Sequence, residues 1–223
     1  MSTMHLSATC RGRLTLDSMR PEQFPAVMRR AFPRRILPSI AALALLCCAF
    51  SRPLRAAEIP KLGESAPAFA LKSLDGERVR LADLTARGTV MLVVLRGWPG
   101  YQCPICNLQV NDFITARAGF AGAKVQVVFV YPGPAADLEA HAAEFRTMKG
   151  REWPAEYRYV LDPDYMLINA YGLRWDAPRE TAYPSTFIID AKGVVRFVKV
   201  SHTHGDRTKA ADMLAELSKL AAP

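Results

Sequence analysis

Val90-Met91-Leu92-Val93-Val94-Leu95 and, a short loop later, Cys103-Pro104-Ile105-Cys106 join an apolar run to a closely spaced pair of cysteines. The apolar run is continuous, which is typical of a strand covered on both faces of a sheet. Pro104 suits the first turn of a following helix, where its missing N–H costs no hydrogen bond. Because a helix N-terminus presents unpaired N–H groups and a positive dipole end, it favours thiolate over thiol. The stretch therefore predicts a reactive thiol pair between a central strand and a helix.

The positive charge of the chain lies almost entirely near its N-terminus. The net charge is +8 at pH 7, and residues 1–57 hold nine Arg and only two acidic residues, Asp17 and Glu22. Since the whole chain has 29 Lys+Arg and 21 Asp+Glu, the remainder carries 20 basic and 19 acidic residues, which do not cluster by sign. No nucleic-acid partner is expected, because such partners need a basic face.

Residues 1–57 have the organisation of an export signal. A basic segment ends at Arg29-Arg30-Ala31-Phe32-Pro33-Arg34-Arg35, an apolar segment spans residues 36–50, and a short stretch ends at Ala57. This order predicts a periplasmic or otherwise exported protein that is cleaved after Ala57. The domain that follows is then residues 58–223, which is long enough to bury a sizeable core.

Two alternatives for the leader stay open. Arg55 is a poor residue three positions before a cleavage site, which favours an uncleaved N-terminal membrane anchor at residues 36–50, although that segment is short for a span. The segment Arg29-Arg30-Ala31-Phe32 is also similar to the core of a twin-arginine signal.

Cysteine usage favours chemistry over structural cross-linking. After the leader, only Cys103 and Cys106 remain of the five cysteines. A domain held together by disulfides would show more cysteines, so one closely spaced pair in an oxidising compartment indicates a redox site.

Hydrophobic periodicity predicts an α/β fold. Apolar runs separated by turn residues indicate strands, and apolar residues three and four apart indicate helices. The predicted strands are 69–71 and 79–81 (a hairpin around Asp75-Gly76), 90–95, 125–131, 157–161, 186–189 and 194–200. The predicted helices follow the cysteines to 119–122 and then cover 134–148, 165–171 and 208–220.

Several motifs in this order resemble the thioredoxin fold and, within it, the AhpC/TSA family of peroxiredoxin-like redoxins. They are Gly63-Glu64-Ser65-Ala66-Pro67-Ala68-Phe69, Asp162-Pro163-Asp164, Tyr171-Gly172-Leu173 and Phe187-Ile188-Ile189-Asp190-Ala191-Lys192-Gly193. The likeness covers roughly residues 59–220. It implies a central mixed β-sheet flanked by helices, with an N-terminal β-hairpin and a central α/β insertion. It also implies a thiol-dependent enzyme with a redox-active disulfide and no other cofactor.

The peroxiredoxin pattern fits the cysteines with two departures. Peroxiredoxins resemble one another in a Pro, a Thr four residues later and a Cys three residues after that; here Pro99 has that spacing, Cys103 replaces the Thr, and Cys106 falls on the peroxide-reacting position. The Arg that those enzymes place before the hairpin strand is matched by Pro184. Arg96 is a candidate to substitute for it, and a solvated or salt-bridged strand-end residue is the equal alternative.

The thioredoxin-like disulfide reductases supply a second pattern, which matches the cysteines more closely. In it Cys103 is the nucleophile and Cys106 resolves the mixed disulfide. Tyr183-Pro184 would be the cis-proline loop, and the backbone of Tyr183 would pair with a substrate strand. Trp98 and Tyr101 are expected at the rim of the thiol pocket.

These patterns lead to one predicted function and one alternative. We predict an exported enzyme that reduces hydroperoxides through a Cys103–Cys106 dithiol-disulfide cycle; the alternative is a reductase of protein disulfides. Either version needs a thioredoxin-like or membrane electron donor. His202 and His204 end the last strand on the predicted thiol side, and with the two cysteines they could compose a zinc site. A solvent-exposed loop is the preferred interpretation of the histidines, and no metal is predicted.

Overall fold

The computed structural model describes residues 57–221. The predicted leader therefore lies outside the described residues up to residue 56, including the candidate anchor at 36–50. Within the described range, none of the helices combines the length and the apolar character that crossing a bilayer requires.

The described domain is built on one mixed sheet of seven strands in the order β2-β1-β5-β4-β3-β6-β7. Strand β3 pairs parallel with β4, and β4 pairs parallel with β5. The remaining pairs are antiparallel, including the predicted hairpins β1–β2 and β6–β7. The strands are β1 Ala70–Ser73, β2 Arg78–Arg80, β3 Val90–Val94, β4 Gln126–Gly133, β5 Arg158–Pro163, β6 Ser185–Ile189 and β7 Val195–Val200.

Helices cover both faces of this sheet. They are α1 Leu81–Thr85, α2 Pro104–Thr115, α3 Arg117–Gly122, α4 Leu138–Thr147, α5 Met166–Ala170 and α6 Ala210–Ala221, with a 3₁₀ turn at Met148–Gly150. The architecture confirms the predicted fold class, a central mixed sheet flanked by helices with an N-terminal hairpin.

Strand β3 lies in the middle of two apolar cores. Every residue of β3 is buried. Because successive side chains of a strand point to opposite faces, Met91 and Val93 join the core that contains the cysteines, whereas Leu92 and Val94 join the core on the other face. Burial of each large apolar side chain stabilises the fold by about 1.5–3 kcal/mol. The strand that carries the site is thereby fixed from both sides.

The central insertion is held by its acidic residues. The Asp162 carboxylate accepts hydrogen bonds from the N–H groups of Leu167 (2.8 Å) and Ile168 (2.9 Å) at the start of α5. Asp164 accepts from the N–H of Ala135 at 3.0 Å. The Asp162-Pro163-Asp164 motif therefore fixes local structure.

Helix boundaries differ from the sequence prediction in three places. The helix after the cysteines ends at Thr115, because Ala116 leaves helical geometry and the chain restarts as α3; this bend lets Phe120 stack on Phe113 at 5.3 Å. The helix predicted to begin at Pro134 begins at Leu138, since Asp137 has a φ of +58°. Leu81, predicted as strand, opens the short helix α1.

Candidate active site

The site lies where β3 ends and α2 begins. Cys103 is the N-cap residue of α2, with an extended backbone, and Pro104 occupies the first turn. The Cys103 sulfur accepts a hydrogen bond from the N–H of Cys106 at 3.3 Å. A sulfur thus takes the place of the oxygen that usually satisfies the first N–H groups of a helix.

Both cysteines are free thiols and both are closed off from solvent. Cys103 is 3% exposed and Cys106 is 1% exposed. Both belong to the core that also contains Met91 and Val110. In this conformation, neither sulfur offers a contact surface to a large molecule.

The two thiols hold their protons differently. The pKa of Cys103 is lowered to about 6, chiefly because the Cys106 thiol donates a hydrogen bond to the Cys103 sulfur. The Cys106 N–H and the positive charges of Arg207 and Arg96 also lower this pKa, and together these effects outweigh burial, which raises it. Burial raises the pKa of Cys106 well above its ordinary value. The negative charge therefore belongs on Cys103 and the proton on Cys106.

Arg96 connects the site to Glu180 in a partly buried ion pair. Its Nε donates to Glu180 Oε2 at 2.6 Å, its Nη2 donates to the carbonyl of Arg179 at 2.6 Å, and its Nη1 donates to the Tyr101 hydroxyl. Its backbone N–H donates to the Cys106 sulfur at 3.4 Å. Of the two predicted environments for Arg96, the structure shows a salt bridge, and all three guanidinium nitrogens are engaged.

The histidines of the last loop do not assemble a metal site. His204 Nε2 lies 2.9 Å from Glu180 Oε1, and the His202 ring packs against Tyr183 at 4.8 Å. In the described part of the chain, no three His, Cys, Asp or Glu side chains are grouped so that they could hold a metal ion. Both histidines therefore have other partners in the conformation described. Burial alone would raise the pKa of Glu180, but its hydrogen bonds to Arg96 and His204 lower it.

Arg207 is a site residue that sequence analysis missed. Its Nη2 lies 3.9 Å from the Cys103 sulfur, and its Nε donates to the carbonyl of His204 at 3.0 Å. The topological argument that placed His202 and His204 on the thiol side applies equally to Arg207, which follows in the same loop. No local motif marks it.

Trp98 and its neighbours tie the loop to the rest of the domain. The Trp98 ring stacks on His141 of α4 at 3.6 Å with an interplanar angle of 12°, and the backbone N–H of Trp98 donates to the carbonyl of Pro132 at 3.0 Å. In the same loop, Pro99 is half-buried and Tyr101 is exposed. Gln102, also missed, accepts from the buried Tyr131 hydroxyl at 2.9 Å.

Tyr183 and Pro184 reach the thiol side of the sheet, but the backbone of Tyr183 is occupied. Its N–H donates to the carbonyl of Leu173 at 2.9 Å, and its carbonyl accepts from the Ser185 hydroxyl at 2.8 Å. The prediction that this backbone is free to pair with a substrate strand is therefore wrong for the conformation described. Pro184 is buried at the start of β6. The cis bond before it stays a prediction.

The sequence of the chain is similar to one protein family and to several named proteins. The model of the AhpC/TSA family matches residues 62–198. A Mycobacterium tuberculosis protein named as a peroxiredoxin is 30% identical over 138 residues, which are 60% of this chain and 80% of that protein. The thiol-disulfide oxidoreductase ResA of Halalkalibacterium halodurans is 26% identical over 191 residues, which are 86% of this chain and 96% of that protein.

Solved structures bear on the fold. The peroxidoxin BcpB of Mycobacterium tuberculosis has a TM-score of 0.56 at 22% identity and covers 73% of this chain and 99% of its own. A yeast mitochondrial 1-Cys peroxiredoxin has a TM-score of 0.60 at 15% identity and covers 73% of this chain and 76% of its own. These likenesses confirm the predicted thioredoxin-like fold. The family match spans more than half of the sequence, and the relatives named above are redox proteins; the chain is an oxidoreductase that belongs to the AhpC/TSA family.

Proposed function

We propose that this protein reduces hydroperoxides through a Cys103–Cys106 dithiol-disulfide cycle in which Cys103 attacks. The observation that carries the assignment of the attacking sulfur is the position of Cys103 as the N-cap of α2, with a pKa lowered to about 6. The family pattern alone would name Cys106. Its burial and raised pKa suit the resolving thiol instead.

The cycle has three balanced steps. The Cys103 thiolate attacks one oxygen of the hydroperoxide; an S–O bond forms, the O–O bond breaks, and the departing alkoxide or hydroxide takes a proton from water. The Cys106 thiol then displaces hydroxide from the Cys103 sulfenic acid, which gives the disulfide and water. A dithiol donor, thioredoxin-like or located in the membrane, returns the pair to two thiols and leaves as a disulfide.

Two features of the site favour a small oxidant over a protein disulfide. Cys103 is only 3% exposed, so the disulfide of a folded protein meets it only after local opening. The N–H of Tyr183, which a substrate strand would need, already donates to Leu173. A hydroperoxide is small and needs no strand pairing.

Reduction of protein disulfides is the second candidate. It is favoured by the Cys-Pro-Ile-Cys spacing and by the likeness to ResA, which extends over 96% of that relative. The ordering of the two pKa values suits this chemistry as well, because Cys103 would attack and Cys106 would release the product.

Stopped-flow oxidation of the reduced protein separates the two candidates. We expect hydrogen peroxide or an organic hydroperoxide to oxidise the wild type and C106S much faster than free cysteine, and to leave C103S slow. C106S should stop at the sulfenic acid, which a dimedone probe captures. If peroxide reacts no faster than with free thiol while a model protein disulfide is reduced, the reductase candidate holds.

We also propose that residues 1–57 direct export, with residues 36–50 as an anchor if they stay uncleaved. The support is the basic, apolar and cleavage-like order of the leader. Fractionation of cells that make the full chain, with N-terminal sequencing of the product, tests this. A full-length product in the cytoplasmic fraction would contradict export.

A further inference from the structure

A polar pocket of about 410 Å³ lies at the end of the sheet opposite the thiols. Its walls come from the turn between β1 and β2, the C-terminal end of α4 and the segment that leads into β5. Because β3, β4 and β5 run parallel, the start of β5 and the end of β3, where the thiols lie, are at opposite ends of the sheet. The lining includes Asp75, Arg146, Thr147, Arg151, Trp153 and Tyr157. None of these residues belongs to the candidate active site.

Arg151 is held in the wall of this pocket by three contacts. Its Nε donates to Asn111 Oδ1 of α2 at 2.7 Å, and its Nη1 donates to the carbonyl of Phe145 at 3.1 Å. The guanidinium also lies over the Phe145 ring, 5.0 Å from the ring centroid. The positive charge is therefore fixed in position in advance, which lowers the entropic cost of binding a ligand.

The charge of Arg151 has no carboxylate partner in the part of the chain that the structure describes. No ion pair within residues 57–221 includes it, and its Nη2 is buried without a hydrogen-bond acceptor. The Tyr159 hydroxyl, whose ring packs against Trp153 at 4.7 Å, is a second buried group without a partner in that range. Burial also lowers the pKa of Arg151. Because buried charges are normally paired, this corner of the domain lacks an anionic acceptor.

Arg146 supplies a second guanidinium to the same pocket. Its Nη1 donates to Asp75 Oδ1 at 2.7 Å, and the Asp75 side chain is 67% exposed. An ion pair with so exposed a carboxylate contributes little to stability, so another anion can replace Asp75 at little cost. Two guanidinium groups in one pocket suit the oxygens of a carboxylate or a phosphate.

We propose that this pocket is a second ligand site, which binds the oxyanion group of a small molecule between Arg151 and Arg146. One oxygen accepts from Nη2 of Arg151, and another replaces Asp75 on Arg146. Contact with Nη2, which is buried, requires a small shift of the surrounding side chains. The pocket is larger than a single oxyanion, so the rest of the ligand can lie against Trp153. The site goes beyond the hydroperoxide reduction proposed above and does not depend on it.

Isothermal titration calorimetry of the purified full chain tests the site with citrate, pyrophosphate and inorganic phosphate. Sodium chloride keeps the ionic strength constant, so that screening of surface charges is not counted as binding. We expect at least one of the three anions to bind one to one with a dissociation constant of about 1 mM or less, and to raise the melting temperature. Citrate alone would identify a carboxylate site, and the two phosphates alone would identify a phosphate site.

Variants locate the binding. R151Q and R146Q should each weaken it about tenfold or more, because each removes a charge-assisted hydrogen bond. D75N should strengthen it about threefold, because it removes the carboxylate that competes for Arg146. R196Q and D206N are the matched controls, since they make the same changes of charge in ion pairs outside the pocket. Both controls should bind like the wild type.

Three outcomes would overturn the inference. The first is that all three anions bind more weakly than about 1 mM. The second is that affinity is unchanged in R146Q and D75N, which also decide the question if R151Q fails to fold by circular dichroism. The third is that R207Q abolishes binding while R146Q does not, since the anion would then lie at the thiols. Peroxide rates do not enter the test, so failure of the proposed function would leave it unaffected.

Discussion

Two chemically identical side chains, three residues apart in one core, occupy different electrostatic environments. Cys103 is the N-cap of α2, where the Cys106 thiol, the Cys106 N–H and two arginines stabilise a negative charge. Cys106 lies one turn further along the helix, where burial disfavours the charge. Because a helix end favours the thiolate and an apolar interior favours the thiol, the spacing assigns different tasks to the two sulfurs.

The first prediction concerns the pH dependence of thiol reactivity. Because the pKa of Cys103 is lowered to about 6, its rate with iodoacetamide should rise as pH increases through that value and level off above it. In C106A the thiol that donates to Cys103 is lost, so the curve should move to higher pH. C106S keeps a hydroxyl donor and should lie between the two. Peptide mapping locates the label, and modification of Cys106 before Cys103 would contradict the assignment.

The second prediction concerns the partly buried ion pair of Arg96 and Glu180. E180Q removes the counter-charge of Arg96 but keeps an amide oxygen as acceptor, so its cost should lie between that of an exposed pair, about 0–1 kcal/mol, and that of a buried pair, about 3–5 kcal/mol. We expect a loss of about 2 kcal/mol in the free energy of unfolding, measured by urea denaturation. D206N, which breaks the exposed pair of Lys199 and Asp206, should cost less than about 1 kcal/mol. Equal losses in the two variants would show that burial does not set the cost.

The residues of the site were predictable where they lie close together in the sequence and form a recognisable motif. The cysteine pair, Arg96 and Trp98 stand beside one another in sequence, so spacing and neighbours were enough. Arg207 arrives from a distant loop, and no motif marks it. The hydrogen bond between Tyr183 and Leu173 likewise depends on how two distant segments meet, which the Tyr-Pro motif does not record.

At the scale of elements, the turn from β3 into the thiol loop depends on one glycine. Gly97 has a φ of +71°, and a Cβ there would overlap the carbonyl oxygen of Pro132 on β4. That carbonyl accepts the N–H of Trp98. Gly97 therefore lets the loop lie close against the neighbouring strand.

The third prediction tests this close approach. G97A combines an unfavourable φ with a clash, whereas G76A has only the unfavourable φ, since nothing lies within 4 Å of the added carbon. We expect G76A to lower the free energy of unfolding by about 1 kcal/mol and G97A by at least about 2–3 kcal/mol. The rate of Cys103 alkylation should change in G97A alone. Similar stability losses in both variants would contradict the clash.

Element types were more predictable than element ends. Strands β3, β4 and β6 follow from continuous apolar runs, because a strand buried on both faces needs no polar residue. The start of α4 was not predictable, because the positive φ of Asp137 cannot be inferred from the presence of an aspartate at that position. The break at Ala116 serves the packing of Phe120 on Phe113, a tertiary contact that helical spacing cannot express.

At the scale of the whole molecule, the predicted domain boundary gives the fourth prediction. Residues 57–59 run along Gly172, and Ile59 packs against the core on that face of the sheet. A chain that begins at residue 58 should unfold cooperatively and keep the thiol reactivity of the full chain. A chain that begins at residue 62, where the family match starts, should melt at a lower temperature because it lacks Ile59. Calorimetry compares them, and identical melting would contradict the boundary.

The overall architecture was predictable because the motifs occur in one order along the chain. Alternating strands and helices gave the α/β class, and the resemblance to redoxins supplied the mixed sheet that the structure confirms. Periodicity alone could not give the strand order, since pairing partners such as β1 and β5 are far apart in sequence.

The different tasks of the two sulfurs have a practical consequence for finding the physiological electron donor. C106S cannot form the intramolecular disulfide, so Cys103 at the start of α2 stays a sulfenic acid after oxidation and is the sulfur that a donor thiol attacks. The donor thiol displaces hydroxide and forms a mixed disulfide with Cys103, which the second thiol of a dithiol donor then breaks. C106S is accordingly the variant to use as bait, provided that acid quenching and alkylation of free thiols preserve the mixed disulfide until mass spectrometry identifies the donor.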